Sequence, residues 1–250
     1  MSGHSKWANI RIRKGAQDAR RGKVFTKLAR EIIIAAKEGG GDPDGNSRLR
    51  LAVEKARAAS MPNDNIKRAI QRGTGESSEG ADFQELTYEG YAPGGTAVLV
   101  SVLTDNRNRT VSDLRAIFSR NGGSLGETGC VAWMFDQKGL VSVDRETTDE
   151  DSLMEVALEA GADDMRTEGD TFDVITQPED FSAVLAALRS KGIEPSMAEV
   201  TMLPKSTVQV EGKDAQQVLR LMDMLDDHDD VQQVYANFDI SDKELEAAAG

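Results

Sequence analysis

The chain is short of most groups that build chemical centres. Its 250 residues include one cysteine and two histidines, and aromatic residues make up only 5%. The lone Cys130 excludes an internal disulfide, and His4 and His228, far apart and with no Cys/His cluster around them, do not suggest a zinc site. The glycine clusters fit no nucleotide loop. The run from Gly39 to Gly45 lacks a following Lys-Ser/Thr, and Gly122, Gly123 and Gly126 lack the strand–GxGxxG–helix setting. The longest apolar stretch, Ile32 to Ala36, is far below the roughly 20 residues of a membrane-spanning helix. The basic N-terminus is not followed by an apolar run, so no secretory signal is expected and the chain reads as cytoplasmic. No Ser/His/Asp grouping or isolated carboxylate pair stands out. The expectation is a protein without catalytic activity, metal, cofactor or small-molecule substrate.

What the chain has is charge, unevenly placed. The net charge is −13, yet residues 1–75 hold 17 Lys/Arg against 7 Asp/Glu, net +10, leaving −23 on residues 76–250. Nine of the cations fall within the first 30 residues: Lys6, Arg11, Arg13, Lys14, Arg20, Arg21, Lys23, Lys27 and Arg30, against the single acid Asp18. An ordinary solvated helix face mixes both signs. Cations at the start of a helix also oppose its dipole, so helix stability does not account for them. The pattern points to a phosphate-rich partner, with those nine cations and Trp7 as candidate nucleic-acid-binding residues. Trp7 could stack on an unpaired base or anchor the arm on the helices.

The hydrophobic pattern divides the chain. Val24, Phe25, Leu28, Ile32 and Ala35/Ala36 lie on one helical face over 24–36, stopped by Gly39-Gly40-Gly41. Asn46 or Ser47 caps a second helix and Asn63 a third, giving a basic helical domain over 1–75. Residues 76–82 read as a linker. Strands are expected at 96–104 and 129–135, with a helix opening at Thr110 in a capping-box pattern with Asp113. From 139 to 204 the order is strand, helix, strand, strand, helix, strand, which is the ferredoxin-like βαββαβ. A strand at 207–210, a helix at 215–225 and a strand at 231–236 follow. The economical reading is a multi-domain α+β protein: a three-helix bundle, then a discontinuous α+β domain of 83–136 plus 205–240 interrupted by the ferredoxin-like domain 139–204, then a tail over 241–250.

Three further features have two readings each. Arg107 and Arg109 flank the start of a helix and could form a secondary anion site, or could pair with neighbouring acids. Asp223, Asp226, Asp227, Asp229 and Asp230 lack calcium-loop spacing and read as a solvated helix end. Cys130 lies in an apolar, strand-like run and reads as a buried small residue rather than a nucleophile.

Several stretches are recognisable: GHSKWANI, RKGAQDARRGKVFTK, GGGDP, YEGYAPGG, DNRNRTVSDLR, ALEAGADD, AEVTMLP and LMDMLDDHDDVQQVYAN. Through them the chain resembles the YebC/PmpR family, from Met1 to about Ser241. Ile12 stands where family copies often carry a histidine. The resemblance implies three domains and a cytoplasmic, DNA-binding regulator of transcription without enzymatic activity or cofactor. It also implies an alternative, since mitochondrial relatives are translational activators: a ribosome-associated translation factor binding ribosomal RNA or tRNA.

Overall fold

The computed structural model describes residues 17–76 and 83–241, with side chains in the first helix described from Gly22 onward. The protein is α+β throughout, and divides into two compact units. One is formed by Trp133–Thr207. The other is formed by the chain on either side, up to Ala132 and from Val208.

The second of these units begins with helices α1 (Gln17–Gly39), α2 (Ser47–Ala58) and α3 (Asn63–Gly73). α1 starts at Gln17 rather than Val24, because Gln, Ala, Arg and Lys favour a helix without leaving an apolar signature. Its buried Ile32, Ile33, Ala35 and Ala36 meet Leu49, Ala52, Val53 and Ala56 of α2 and Ile66 and Ala69 of α3. The approach of α3 depends on Gly73, where a Cβ would lie 2.4 Å from the Ile33 carbonyl oxygen. Asn46 caps α2 as expected. Its side-chain oxygen accepts from Leu49 N (3.0 Å), and its amide also donates to the Ala35 and Gly40 carbonyls, tying the end of α1 to the start of α2. Asn63, by contrast, is the first helical residue and not a cap. Pro62 takes that position, with no side-chain capping bond, because its fixed φ suits a helix entry.

The same unit then builds a four-stranded sheet in the order β3-β1-β2-β9 from β1 (Gln84–Ala92), β2 (Thr96–Thr104), β3 (Ser124–Leu125) and β9 (Val231–Ala236). β1 was not expected. Glu85, Thr87 and Glu89 alternate with its inward residues in the period of a strand, but the inward positions of its second half are Gly90 and Ala92, which add almost no apolar side chain to mark it. Val98, Val100 and Val102 of β2 pack with Leu114 and Phe118 of helix α4 (Arg107–Arg120) and with Val218, Leu221, Met222 and Leu225 of helix α7 (Gly212–Asp226). Leu103, of opposite parity, joins the helical core with Phe83. α4 opens at Arg107, not Thr110. Asn106 is the cap, its oxygen accepting from Arg109 N at 3.1 Å, and Thr110 is fully buried for another purpose. The expected strand at 207–210 shrinks to β8 (Val208–Gln209), which pairs in parallel with β10 (Phe238–Asp239) as a separate ribbon.

Residues 129–134 are not a strand. They form a turn and a 3-10 segment (Ala132–Met134). The cause is Glu89, whose buried carboxylate accepts backbone N–H bonds from Gly129 (2.6 Å), Val131 (2.7 Å) and Ala132 (2.7 Å), donors a strand ladder would otherwise use. Burial works to raise the Glu89 pKa, but the three N–H groups outweigh it and hold the carboxyl below its ordinary range. Cys130 is therefore a half-buried loop residue instead of a core strand residue. Desolvation, with the nearby Glu89 charge, pushes its thiol pKa up.

The remaining unit contains β4 (Phe135–Asp144), α5 (Glu150–Glu159), β5 (Asp164–Glu168), β6 (Thr171–Thr176), α6 (Phe181–Ser190) and β7 (Met197–Pro204). Its antiparallel sheet has the order β5-β6-β4-β7, the ferredoxin-like arrangement of the βαββαβ order. β4 begins at Phe135 because residues 135–138 pair with Thr201–Pro204 of β7. Val141, Val143, Phe172 and Val174 form one apolar face, covered by Leu153 and Ala157 of α5 and Phe181, Val184 and Leu188 of α6. Among the described residues no helix is long and apolar enough to cross a membrane.

Candidate nucleic-acid interface

The basic segment divides into three parts. Lys6, Trp7, Arg11, Arg13 and Lys14 lie outside the described residues. Arg20 and Arg21 fall on the first turns of α1, with side chains that are not described. Lys23, Lys27 and Arg30 are described, and all three turn toward the body of their own unit.

Their partners are the acids after α7. Lys23 Nζ donates to the Asp227 carbonyl (3.1 Å) and lies 3.6 Å from its carboxylate, a pair that stays open to solvent. Lys27 Nζ donates to the Asp226 carbonyl (2.6 Å) and carboxylate (3.2 Å), with the two side chains only 16% and 14% exposed. Arg30 Nη1 donates to the Asp229 carbonyl, the Leu103 carbonyl (3.3 Å) and Asp230 Oδ1 (2.8 Å). Its guanidinium also sits 5.4 Å from the centroid of the Phe83 ring. α7 carries no basic residue in its own last turn. The cations of α1 supply the donors and positive charge that its C-terminal carbonyls lack.

Asp230 is the centre of this contact. Its side chain is 3% exposed and accepts from Arg30, from Arg109 Nη2 (3.0 Å), from Thr110 Oγ1 (2.7 Å) and from Thr104 Oγ1 (3.1 Å). Burial alone would raise its pKa. The Thr110 hydroxyl, Arg109 and the charge of Arg30 together reverse that and hold the carboxyl below its usual value. The run at 223–230 is thus a solvated helix end only in part: Asp223, Asp227 and Asp229 are exposed, while Asp226 and Asp230 are drawn into the contact with α1. Three of its carboxylates, Asp226, Asp227 and Asp230, face cations contributed by α1 and α4, and at Asp226 and Asp230 the Lys27 and Arg30 charges meet them with little water between.

Arg107 and Arg109 are both exposed, but they are not equivalent. Arg109 is bound to Asp105 (2.9 Å) and Asp230, while Arg107 makes no hydrogen bond or ion pair among the described residues. Arg50, Arg57 and Lys67 on α2 and α3 are also exposed and without such partners among the described residues. Arg68 is tied to Asn65 (2.7 Å) and to the Asp64 carbonyl (3.2 Å). Sequence reasoning missed Asp230, Thr110 and Glu89. The only sequence signal for the first was the density of acids after α7. Among the described residues no three His, Cys, Asp or Glu side chains are grouped so that they could hold a metal ion.

An α+β protein with a cationic helical N-terminal part and an anionic remainder is the class that this geometry defines. The model of the TACO1/YebC N-terminal domain matches residues 5–76, and that of the TACO1/YebC second and third domain matches residues 83–238. The chain belongs to the TACO1/YebC family. A probable transcriptional regulatory protein of Desulforapulum autotrophicum is 58% identical over 247 residues, covering 99% of this chain and 100% of that one. Another from Desulfatibacillum aliphaticivorans is 60% identical, over 97% of this chain and 98% of that one. The crystal structure of a conserved hypothetical protein from Aquifex aeolicus superposes with a TM-score of 0.82 at 46% identity, covering 90% of this chain and 93% of that one.

Proposed function

We propose that this protein is a nucleic-acid-binding regulator of transcription that holds DNA through phosphate contacts made by its N-terminal part. The observation that carries the reading is the division of charge, +10 on residues 1–75 against −23 on the rest. The names carried by the similar proteins support it.

The hydrogen bonds of α1 narrow the set of phosphate-binding groups. Lys27 and Arg30 have carboxylate partners and little exposure, so in this reading they fasten α1 to the body. Phosphate binding then falls to Lys6, Arg11, Arg13, Lys14, Arg20 and Arg21, with Arg50, Arg57 and Lys67 as exposed cations of the same bundle. Phosphate contacts position a protein on DNA without reading its sequence, so affinity should be strongly salt-dependent and sequence preference modest.

The test is a salt titration of duplex binding by the full chain and by a variant with Arg11, Arg13, Lys14, Arg20 and Arg21 replaced by Gln. Each phosphate that the variant no longer neutralises should make the slope of log K against log salt less negative by about 0.9. An unchanged affinity and slope would overturn the assignment. Footprinting on genomic DNA and sedimentation with ribosomes, run on the same pair of proteins, choose the partner. A protected promoter site that disappears in the variant supports the DNA reading. Ribosome co-migration that the variant abolishes, with no footprint, replaces DNA by ribosomal RNA or tRNA.

A further inference from the structure

The surface of α5, in the ferredoxin-like unit, has a composition that neither its own fold nor a nucleic acid explains. Its inward side is complete, since Leu153 and Ala157 are fully buried in the core. On its outward side Met154 and Leu158 are 37% and 51% exposed. They are four residues apart, so they form one apolar ridge along the helix. Beside that ridge runs a second row at the same spacing, Asp151, Glu155 and Glu159. All three are exposed, with no ion pair to any described residue.

The charge extends past the helix. Residues 146–165 hold eight Asp/Glu and no Lys, Arg or His. Asp149 and Glu150 suit the helix N-terminus, where Asp149 accepts from Ser152 N at 3.0 Å. Glu155 and Glu159 do not, because they add negative charge toward the C-terminal end, which has no basic residue in its last turn. Helix stability therefore does not account for them. Of the nearby cations, Arg189 of α6 faces Glu194 (3.9 Å), Lys138 is paired with Asp163 and Arg166 with Asp164. None of these pairs neutralises the outer row of α5.

We propose that this face of α5 is a docking surface for a cationic amphipathic protein segment, whose apolar residues cover Met154 and Leu158 and whose Lys/Arg side chains meet Asp151, Glu155 and Glu159. The commitment to a cationic partner rests on charge complementarity. Opposite fields steer the encounter and disfavour acidic partners. An apolar ridge bordered by unpaired acids matches a helix with apolar residues at i and i+4 and cations alongside. Nucleic acid is repelled by the same surface. The protein would then carry two separate recognition surfaces: a cationic one for phosphates and this anionic one for a basic protein.

The test uses the full chain and two labelled probes followed by fluorescence anisotropy: an 18-residue Leu/Lys amphipathic peptide and an oligolysine of equal charge. The first should bind, and binding should weaken with salt. Met154→Ser with Leu158→Ser should weaken it by about tenfold or more, given the half-exposed area the two residues have left to bury, and leave oligolysine binding unchanged. Glu155→Gln with Glu159→Gln should weaken binding of both probes. Leu51→Ser, which removes a similarly exposed leucine from α2, should change neither. All of these positions are on the surface, and thermal melts of each variant verify that the fold is kept. Equal binding of the two probes by the wild type, or wild-type binding of the Leu/Lys peptide by the Met154/Leu158 variant, would overturn the proposal. So would a concentration-dependent dimer dispersed by Leu158→Glu, which would give the surface to a second copy of the chain.

Discussion

Replacing Asp230 by Ala removes a carboxylate that four side chains from two helices and a strand converge on. Arg30, Arg109, Thr110 and Thr104 all donate to it, and only Arg109 among them has substantial contact with water. Removing one partner of a buried ion pair costs about 3–5 kcal/mol, mostly because the remaining charge is left desolvated. Arg30, 15% exposed, would be in that position. Against a total stability of about 5–15 kcal/mol this is a large fraction. With a urea m-value of about 2 kcal/mol/M, the midpoint of the corresponding transition should fall by roughly 2 M. Asp230→Asn keeps an acceptor for the hydroxyls and should cost less. Adding Arg30→Met to it should recover part of the deficit, since the orphaned charge is then gone. The pH dependence has a definite sign. Asp230 has a depressed pKa in the folded state, so its contribution is present above its unfolded value of about 3.9 and is lost as pH falls through the lower folded value. The gap between wild type and Asp230→Ala should be constant from about pH 5 to 8 and close in stronger acid. A cost under about 1 kcal/mol at pH 7, or a gap that persists in full well below the folded pKa, would refute the reasoning.

Other outcomes follow from single positions. Ser60 follows α2 with φ +63°, in a turn where Met61 N bonds the Ala56 carbonyl (2.9 Å) and glycine is the unstrained residue; Ser60→Gly should stabilise the protein by about 0.5–1 kcal/mol in urea melts. Asp173 shows the opposite linkage from Asp230. Burial raises its pKa despite hydrogen bonds from Ser142 (2.6 Å) and Thr171 (3.3 Å), so its contribution falls as pH rises from about 4 through the raised value, and Asp173→Asn should flatten that part of the stability–pH curve. A fragment spanning residues 133–207 is expected to unfold cooperatively by itself, because its strands pair among themselves and its two helices cover one apolar face; a non-cooperative melt of the isolated fragment would count against it.

The elements that were legible in the sequence are those whose signal is local. Asn46 announces α2 because a capping side chain acts within three residues, and the βαββαβ order from 139 to 204 shows because period-2 and period-3.6 runs alternate cleanly there. β1 was weakly marked because its second half turns only Gly90 and Ala92 inward, and residues 129–134 read as a strand because nothing near them in sequence reveals that Glu89, forty residues earlier, takes their N–H groups. The charge imbalance was also set by composition alone, since a sum of charges does not depend on how the chain folds. Which cations remain available is a different quantity. It depends on distance, and the distances that matter join Lys27 to Asp226 and Arg30 to Asp230 across about two hundred residues of chain. The sequence therefore determined that the N-terminal part is cationic and the remainder anionic. Only the tertiary structure decided that Lys27 and Arg30 of α1 turn inward, because the end of α7 places carboxylates and helix-end carbonyls within hydrogen-bonding reach of them.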